Sequence, residues 1–206
     1  MTDRRGLAGA PALAMEFQLQ KIEQAAKAGV DWIQIREKDL SGRHLAKFTE
    51  QAVLRAGDGA AVLVNDRLDV ALTTGAAGVH LGEHSLLATE VRKLASERLG
   101  GRKFLVGVSV HSLEAAVQAE QAKADYVIFG PVYATPSKAV FGPPQGVRRL
   151  GEVCQRLTIP VLGIGGITLE NAGDVMTAGA AGIAAIRLFQ EAENLDGLVR
   201  ELRKIA

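Results

Sequence analysis

Side chains capable of binding phosphate follow two short apolar segments of the chain. Gln34, Arg36 and Lys38 follow the first segment, and Asn65 and Asp66 follow the second. Arginine offers a fork of N–H donors to phosphate oxygens, and lysine offers a mobile positive charge. An aspartate carboxylate is an oxygen ligand of the type that Mg²⁺ prefers. These residue types predict a site for phosphate groups, with Asp66 holding a magnesium ion.

Glycine-rich loops follow the last two apolar segments of the chain. Residues 159–167 read IPVLGIGGI, and residues 179–189 read GAAGIAAIRLF. At Gly165 and Gly166, no Cβ would separate the backbone N–H groups from an anion. In a barrel of alternating strands and helices, the loops after the seventh and eighth strands commonly bind phosphate. A phosphorylated small molecule is therefore the expected ligand.

Apolar runs rich in valine and isoleucine alternate with helical patterns along the chain. Seven strands are predicted, at residues 31–35, 61–64, 77–81, 104–108, 125–129, 160–164 and 182–186. Continuous apolar strands are buried on both faces, and their alternation with helices indicates a parallel sheet. The opening segment, residues 1–15, is interpreted as a loop because Gly6, Gly9 and Pro11 interrupt its apolar stretch.

These elements predict an α/β fold, a TIM (β/α)8 barrel with a truncated first strand. An eighth strand would close the barrel, and only a short stretch around Thr2 is available for it. Residues 1–206 are predicted to form a single domain. An open doubly wound sheet is the alternative, although no G-x-G-x-x-G motif opens a helix after the first strand.

The composition argues against several classes of function. The formal net charge is +1, so no field steers the chain toward nucleic acid or a membrane surface. No run approaches the ~20 apolar residues of a membrane span. The single cysteine, Cys154, excludes an intrachain disulfide and suits a reducing compartment. We therefore expect a cytoplasmic protein that acts on small molecules, with neither nucleic acid nor membrane as its partner.

Five motifs of this chain, in order, resemble the thiamin phosphate synthase/TenI family. They are QIREK, VND, GVSVHS, GPVYATPSK and GIGGI, and the resemblance extends from Thr2 to Phe189. Each motif is weak alone, whereas all five in order at fitting spacing are specific. The family fold is a TIM barrel. The resemblance implies a thiamin-biosynthesis transferase that uses Mg²⁺ and forms a homodimer. Such an enzyme condenses hydroxymethylpyrimidine diphosphate with thiazole phosphate and releases pyrophosphate.

The resemblance also implies roles for individual residues of this chain. The pyrimidine diphosphate would contact Gln34, Arg36, Lys38, Asn65, Ser109 and Lys138, and Asp66 would hold Mg²⁺. The thiazole phosphate would contact Thr135, Ser137, Gly165, Gly166, Ile186 and Arg187. The implied catalytic group consists of Lys138, Ser109 and His111.

Two segments depart from the synthase pattern. The synthases usually carry a second Mg²⁺ aspartate in an H-x-G-Q-x-D segment, whereas residues 80–85 read HLGEHS. Ser85 is a poorer metal ligand than a carboxylate, and Glu83 is either a substitute ligand or a solvated side chain. Arg187 stands where a small residue often lies, and it would add a cation near the thiazole phosphate.

Other functions stay open on the sequence alone. TenI-type thiazole tautomerases also lack the second aspartate, and there His111 would move a proton. A tautomerase handles one monophosphate, so the synthase is favoured by the joint presence of Gln34, Lys38, Asn65, Asp66 and Lys138. A non-catalytic barrel that binds thiamin precursors is a further alternative. So is a sugar-phosphate isomerase or aldolase, for which Glu37 and His111 are weak acid–base candidates.

Structural roles compete for some of these residues. Asp66 could cap the helix that follows its strand. His80 lies among small apolar residues and is interpreted as a buried structural histidine. The residues at 36–38 could form a solvated strand end with a local salt bridge, which would contribute little.

Overall fold

Seven parallel strands curl around a common axis in the computed structural model, and helices cover their outer faces. The structure describes residues 1–4, 11–135 and 143–205. The strands are β1 (Trp32–Ile35), β2 (Ala61–Asn65), β3 (Gly78–Leu81), β4 (Leu105–Val110), β5 (Tyr126–Phe129), β6 (Val161–Ile164) and β7 (Gly182–Ala184). Each strand pairs in parallel with its neighbour along the chain. Because the spatial order never reverses, the doubly wound alternative is wrong and the barrel prediction is confirmed.

Helices precede and follow the strands as the sequence pattern predicts. The described helices are α1 (Pro11–Lys27), α2 (Gly42–Ala56), α3 (Leu68–Thr73), α4 (Ala88–Leu99), α5 (Leu113–Gln121), α6 (Gly146–Arg156), α7 (Ala172–Thr177), α8 (Arg187–Gln190) and α9 (Leu195–Ile205). The loop predicted for residues 1–15 is wrong at its end, because α1 already begins at Pro11. Proline suits a first helical position, where its missing N–H would have no partner within the helix.

The truncated first strand is a short stretch at Met1 and Thr2. The Thr2 N–H donates to the Gln34 carbonyl of β1 (2.9 Å), and the Met1 amino group donates to the Ala185 carbonyl just after β7 (3.2 Å). The Thr2 hydroxyl oxygen accepts from the Arg36 N–H (3.0 Å). This stretch therefore lies between the two outer strands of the sheet, as expected.

A cavity of about 410 Å³ lies in the rest of the gap between β1 and β7. Its walls include Trp32 and Ile183 of the two outer strands and Ile22 and Val199 of α1 and α9. Of the described residues that the sequence assigns to the site, only Gln34 borders this cavity. The cavity is therefore distinct from the predicted phosphate site.

The apolar core has two layers that leave the carboxyl ends of the strands for polar groups. The outer layer packs between the strands and the helices. The inner layer lies inside the barrel around Leu63, Tyr126 and Ile128, and the centre of the Tyr126 ring lies 4.5 Å from the centre of the Trp32 ring. Within the described residues, no helix is long and apolar enough to cross a membrane.

Candidate active site

Asp66 lies at the carboxyl end of β2 and is tied to the end of β3. Its N–H donates to the His80 carbonyl (2.9 Å). Its Oδ1 accepts from the Gly82 N–H (2.8 Å) and from the Ser85 hydroxyl (2.5 Å), and its Oδ2 accepts from the Asn65 amide (2.8 Å). The carboxylate is thus held in one orientation by groups from two neighbouring strands.

The backbone at Asp66 adopts a left-handed conformation, with φ of 58°. This conformation costs a non-glycine residue roughly 1–2 kcal/mol, although aspartate tolerates it better than most residues. The predicted helix cap is wrong, because the residue that precedes α3 is Arg67 and it makes no side-chain cap hydrogen bond. Strained backbone of this kind concentrates at functional sites, and the Asp66 carboxylate turns toward β3 instead of capping α3.

Opposing influences set the pKa of Asp66. Burial raises it, whereas hydrogen bonds from Ser85, Gly82 and Asn65 and the charge of Lys38 lower it. The lowering influences win, so the pKa lies below its ordinary value of 3.8. Asp66 is therefore an anion at neutral pH, as a magnesium ligand must be.

Gln34 on β1 joins the same network. Its side chain is buried, and its amide donates to Asn65 Oδ1 (2.9 Å), whose own amide donates to Asp66. Lys38 is exposed and close enough for its charge to act on Asp66. Four predicted residues, Gln34, Lys38, Asn65 and Asp66, therefore lie together, and the half-buried Arg36 follows on the strand end that Thr2 ties down.

Glu37 has a structural role that the sequence did not reveal. Its side chain is fully buried and pairs with the Arg4 guanidinium at 3.1 Å, and Arg4 also makes two hydrogen bonds to Asp39. The expectation of a solvated strand end is therefore wrong at Glu37. The carboxylate anchors the amino-terminal segment, which removes it as an acid–base candidate.

Ser109 on β4 lies at the top of a buried polar pair. Its Oγ is 2.8 Å from His80 Nε2, and His80 Nδ1 is 3.1 Å from the Tyr126 hydroxyl. Burial lowers the pKa of His80 to about 4, although the negative charge of Asp66 acts in the opposite direction. His80 is therefore neutral at physiological pH, and the prediction of a buried histidine is confirmed.

Glu83 contacts His111 at the ends of β3 and β4. Glu83 Oε2 lies 2.6 Å from His111 Nδ1, and both side chains are more than a third exposed. Glu83 is thus not simply solvated, and its partner is an imidazole. This contact orients the ring that the tautomerase alternative requires.

The loop after β6 is a backbone cradle. Gly165 and Gly166 have φ values of 101° and 63°. A Cβ at Gly165 would lie 2.6 Å from Pro131 Cβ, and a Cβ at Gly166 would lie 2.6 Å from the Ala134 carbonyl oxygen. The Tyr133 N–H donates to the Gly165 carbonyl (2.9 Å). The two glycines are therefore required both by conformation and by close packing against the loop after β5.

Asn171 fixes this cradle, and sequence reasoning missed it. Its amide donates to the Gly166 carbonyl (3.0 Å), and its side-chain oxygen accepts from the Thr168 N–H (2.8 Å). The available signal was an asparagine a few residues after a glycine pair, at the start of a helix. Asn171 supports the backbone on which a phosphate would rest.

The remaining predicted residues lie elsewhere on the same rim or outside the described chain. β7 ends at Ala184, so Ile186 and Arg187 are not at a strand end, because Ile186 directly precedes α8 and Arg187 begins it. Thr135 ends the described part of the loop after β5. Ser137 and Lys138 lie outside the described residues.

The residues around Asp66 fit a magnesium ion that is completed by substrate. No group of three or more His, Cys, Asp or Glu side chains that could hold a metal occurs among the described residues. Magnesium sites commonly use one or two carboxylates, with substrate phosphates and water as the other ligands. An oriented, ionised Asp66 beside phosphate-binding side chains matches that pattern.

This geometry defines a class of protein, a parallel α/β barrel whose carboxyl rim carries the polar side chains and the glycine loop described above. The family model described as thiamine monophosphate synthase matches residues 11–189, and the chain belongs to this family. A thiamine-phosphate synthase of Chlorobium phaeovibrioides is 42% identical over 186 residues, which cover 88% of this chain and 87% of the relative. A thiamine-phosphate synthase of Roseiflexus castenholzii is 38% identical over 207 residues, and the alignment covers 100% of this chain and 86% of the relative.

Solved structures agree with this family and fold. The thiamine phosphate pyrophosphorylase of Pyrococcus furiosus superposes with a TM-score of 0.82 at 30% identity. The superposition covers 98% of this chain and 91% of the Pyrococcus chain. A 3-hexulose-6-phosphate synthase superposes with a TM-score of 0.70 at 17% identity, covering 93% and 94% of the two chains, and supports the fold alone.

Proposed function

We propose that this protein condenses hydroxymethylpyrimidine diphosphate with thiazole phosphate to give thiamin phosphate and pyrophosphate. The observation that carries the proposal is the Gln34–Asn65–Asp66 network, which prepares an anionic metal ligand beside cationic and amide side chains. A site that binds a single monophosphate does not need this set of amide, carboxylate and cationic side chains. The names of the relatives support the same activity.

The chemistry assigned to the chain is stabilisation of a leaving group. The bond between the pyrimidine methylene carbon and the diphosphate oxygen breaks, and its electron pair leaves with pyrophosphate. The thiazole nitrogen then donates its lone pair to the methylene cation, which forms the new carbon–nitrogen bond. Preorganised donors and cations lower this barrier because charge on the leaving oxygen grows in the transition state.

Two groups of residues divide this work in the proposal. Gln34, Asn65, Arg36, Lys38, Ser109 and Lys138 bind the diphosphate. Thr135, Ser137, Gly165, Gly166, Ile186 and Arg187 hold the thiazole phosphate. Asp66 would hold Mg²⁺, which when bound supplies positive charge to the diphosphate oxygens. A homodimer, a single domain over residues 1–206 and a cytoplasmic location complete the proposal.

A thiazole tautomerase is the second candidate, and two observations favour it. Ser85 occupies the position of the second acidic residue, and Glu83 orients His111 at 2.6 Å. In that reaction His111 would take a proton from one ring position and return it to another.

Parallel assays on the wild-type protein and the His111→Ala variant separate the two candidates. The synthase proposal predicts thiamin phosphate from both proteins, with a loss of less than about tenfold in the variant, since no proton transfer at carbon is needed. Tautomerisation of thiazole carboxylate phosphate by the wild type, abolished in His111→Ala and without any condensation, would establish the second candidate instead.

A further inference from the structure

A buried polar chain beneath Ser109 has no part in the chemistry assigned so far. It runs from the Tyr126 hydroxyl to His80 Nδ1 (3.1 Å) and from His80 Nε2 to Ser109 Oγ (2.8 Å). Both His80 and Tyr126 are only 1% exposed. The three residues come from the adjacent strands β5, β3 and β4. Such a chain is costly to bury unless its hydrogen bonds are complete.

The packing inside the barrel leaves room for these hydrogen-bonded side chains. A Cβ at Gly107 would lie 2.1 Å from Tyr126 Cζ, so the tyrosine ring occupies the space that only a glycine on β4 leaves. Trp32 packs against the other part of the ring at 4.5 Å. The hydroxyl is therefore fixed against His80 by packing on both sides.

Counting donors and acceptors selects one direction for the hydrogen bonds that link Tyr126, His80 and Ser109. A neutral imidazole has one donor nitrogen and one acceptor nitrogen. If Nδ1 were the donor, the Tyr126 hydroxyl proton would have no acceptor among the described residues, because the hydrogen-bond partner of the hydroxyl there is His80. An orphaned buried donor costs about 1–3 kcal/mol. The hydroxyl therefore donates to Nδ1, which leaves the ring proton on Nε2.

This direction determines what Ser109 can do. His80 Nε2–H donates to Ser109 Oγ, so the serine proton cannot point back into the barrel. We propose that Tyr126 and His80 are positioning residues that direct the Ser109 hydroxyl proton outward, as a preset donor to an anionic oxygen of the diphosphate. This rests on the proposed function, which places the diphosphate at Ser109. The opposite direction would make Ser109 a donor to His80 and would take it away from the substrate.

The imidazole tautomer gives a test that needs no substrate. Two-dimensional NMR of ¹⁵N-labelled protein distinguishes a protonated from an unprotonated ring nitrogen. We expect the proton of His80 on Nε2 in the wild type, and a mixture of tautomers in Tyr126→Phe, which lacks the hydroxyl donor. A His80 proton found on Nδ1 in the wild type would overturn the proposal.

A double-mutant cycle tests whether the effect passes through Ser109. The probe is inorganic pyrophosphate with Mg²⁺, measured by calorimetry on the wild type, Tyr126→Phe, Ser109→Ala and the double variant. We expect Tyr126→Phe to weaken binding about three- to tenfold in the wild-type background, and less than about twofold once Ser109 is alanine. Thermal melts of all four proteins show whether each one is folded.

Several outcomes of the cycle would contradict this role. An equal loss from Tyr126→Phe in both backgrounds would mean that the hydroxyl acts on the fold alone. No loss in either background, or a wild type that does not bind pyrophosphate, would also overturn the role. A wild type that binds pyrophosphate and shows the coupling but makes no thiamin phosphate would refute the proposed synthase while leaving the positioning of Ser109 intact.

Discussion

The two sides of the barrel rim, at β2–β3 and at β6, are held in shape by different means. At β2 and β3, side chains do the positioning, since three donors hold the two oxygens of Asp66. At β6, the surface is formed by the backbone itself, and Gly165 and Gly166 are present because nothing larger fits. A side-chain network can be retuned by single substitutions, whereas a backbone cradle tolerates very few. We therefore expect changes at β2–β3 to alter chemistry first and changes at β6 to alter stability and binding together.

The largest effect is expected from Asp66→Ala. Loss of the oriented carboxylate removes the proposed metal ligand, so kcat for thiamin phosphate formation should fall at least about hundredfold. The melting temperature should also fall, because alanine tolerates the left-handed backbone at this position less well than aspartate and three hydrogen-bond donors lose their acceptor. Asp69→Asn is the matched control, since Asp69 is exposed and paired with Arg67. A variant of Asp66 within threefold of wild-type kcat would exclude its assigned role.

Gly166→Ala should damage the other side of the rim. Its φ of 63° and the 2.6 Å approach of a Cβ to the Ala134 carbonyl oxygen both oppose the new side chain. We expect a loss of about 3 kcal/mol in unfolding free energy and a rise of about tenfold in KM for thiazole phosphate. Gly100→Ala isolates the conformational part, because φ there is 58° and a Cβ would meet nothing within 4 Å. Equal losses in the two variants, measured by denaturant unfolding, would show that the cradle is not tightly packed.

Ser85→Asp should make the stability of the β2–β3 side depend more strongly on Mg²⁺. Replacing a hydroxyl that donates to Asp66 with a second carboxylate creates repulsion between like charges. We expect a lower melting temperature without Mg²⁺ and a larger Mg²⁺-induced increase than in the wild type. Ser112→Asp is a suitable control, because Ser112 caps α5 and aspartate is also a good cap. A Mg²⁺ response identical to that of the wild type would argue against a metal at this position.

The smallest expected effect concerns the pKa of Asp66. Because this pKa is lowered in the folded protein, the stabilisation is present above pH 3.8 and is lost as the pH falls through the folded value. Ser85→Ala removes one hydrogen bond to the carboxylate, so the pKa should move back toward 3.8. NMR titration of the carboxyl carbons measures this shift, and Asp69 in the same spectra should not move. An unchanged Asp66 would show that the Ser85 hydrogen bond does not govern its charge.

Sequence reasoning found the parts of the site that depend on order along the chain. Strands read as apolar runs, and in a parallel barrel their carboxyl ends share one rim, so Gln34, Asn65 and Asp66 could be placed together in advance. Sequence reasoning failed where a residue's partner is distant along the chain, and where local backbone geometry sets the orientation of a side chain. Arg4 pairs with Glu37 across 33 positions, and nothing in a linear pattern shows that contact.

The orientation of the Asp66 side chain could not be predicted from the sequence either. Propensity favours an aspartate as the cap of the following helix, whereas hydrogen bonds from Gly82 and Ser85 turn it toward β3. The direction of the chain from Tyr126 through His80 to Ser109 also depends on burial and on counting donors, which require coordinates. Tertiary contacts decided each of these cases.

Product formation in the presence and absence of Mg²⁺ tests the central claim most directly. Purified wild-type protein is mixed with hydroxymethylpyrimidine diphosphate and thiazole phosphate, and thiamin phosphate and pyrophosphate are quantified with Mg²⁺ or with EDTA. We predict equal amounts of both products with Mg²⁺ and a loss of at least about hundredfold in rate with EDTA. No thiamin phosphate under either condition, from a folded protein that binds both substrates, would contradict the assignment of a synthase.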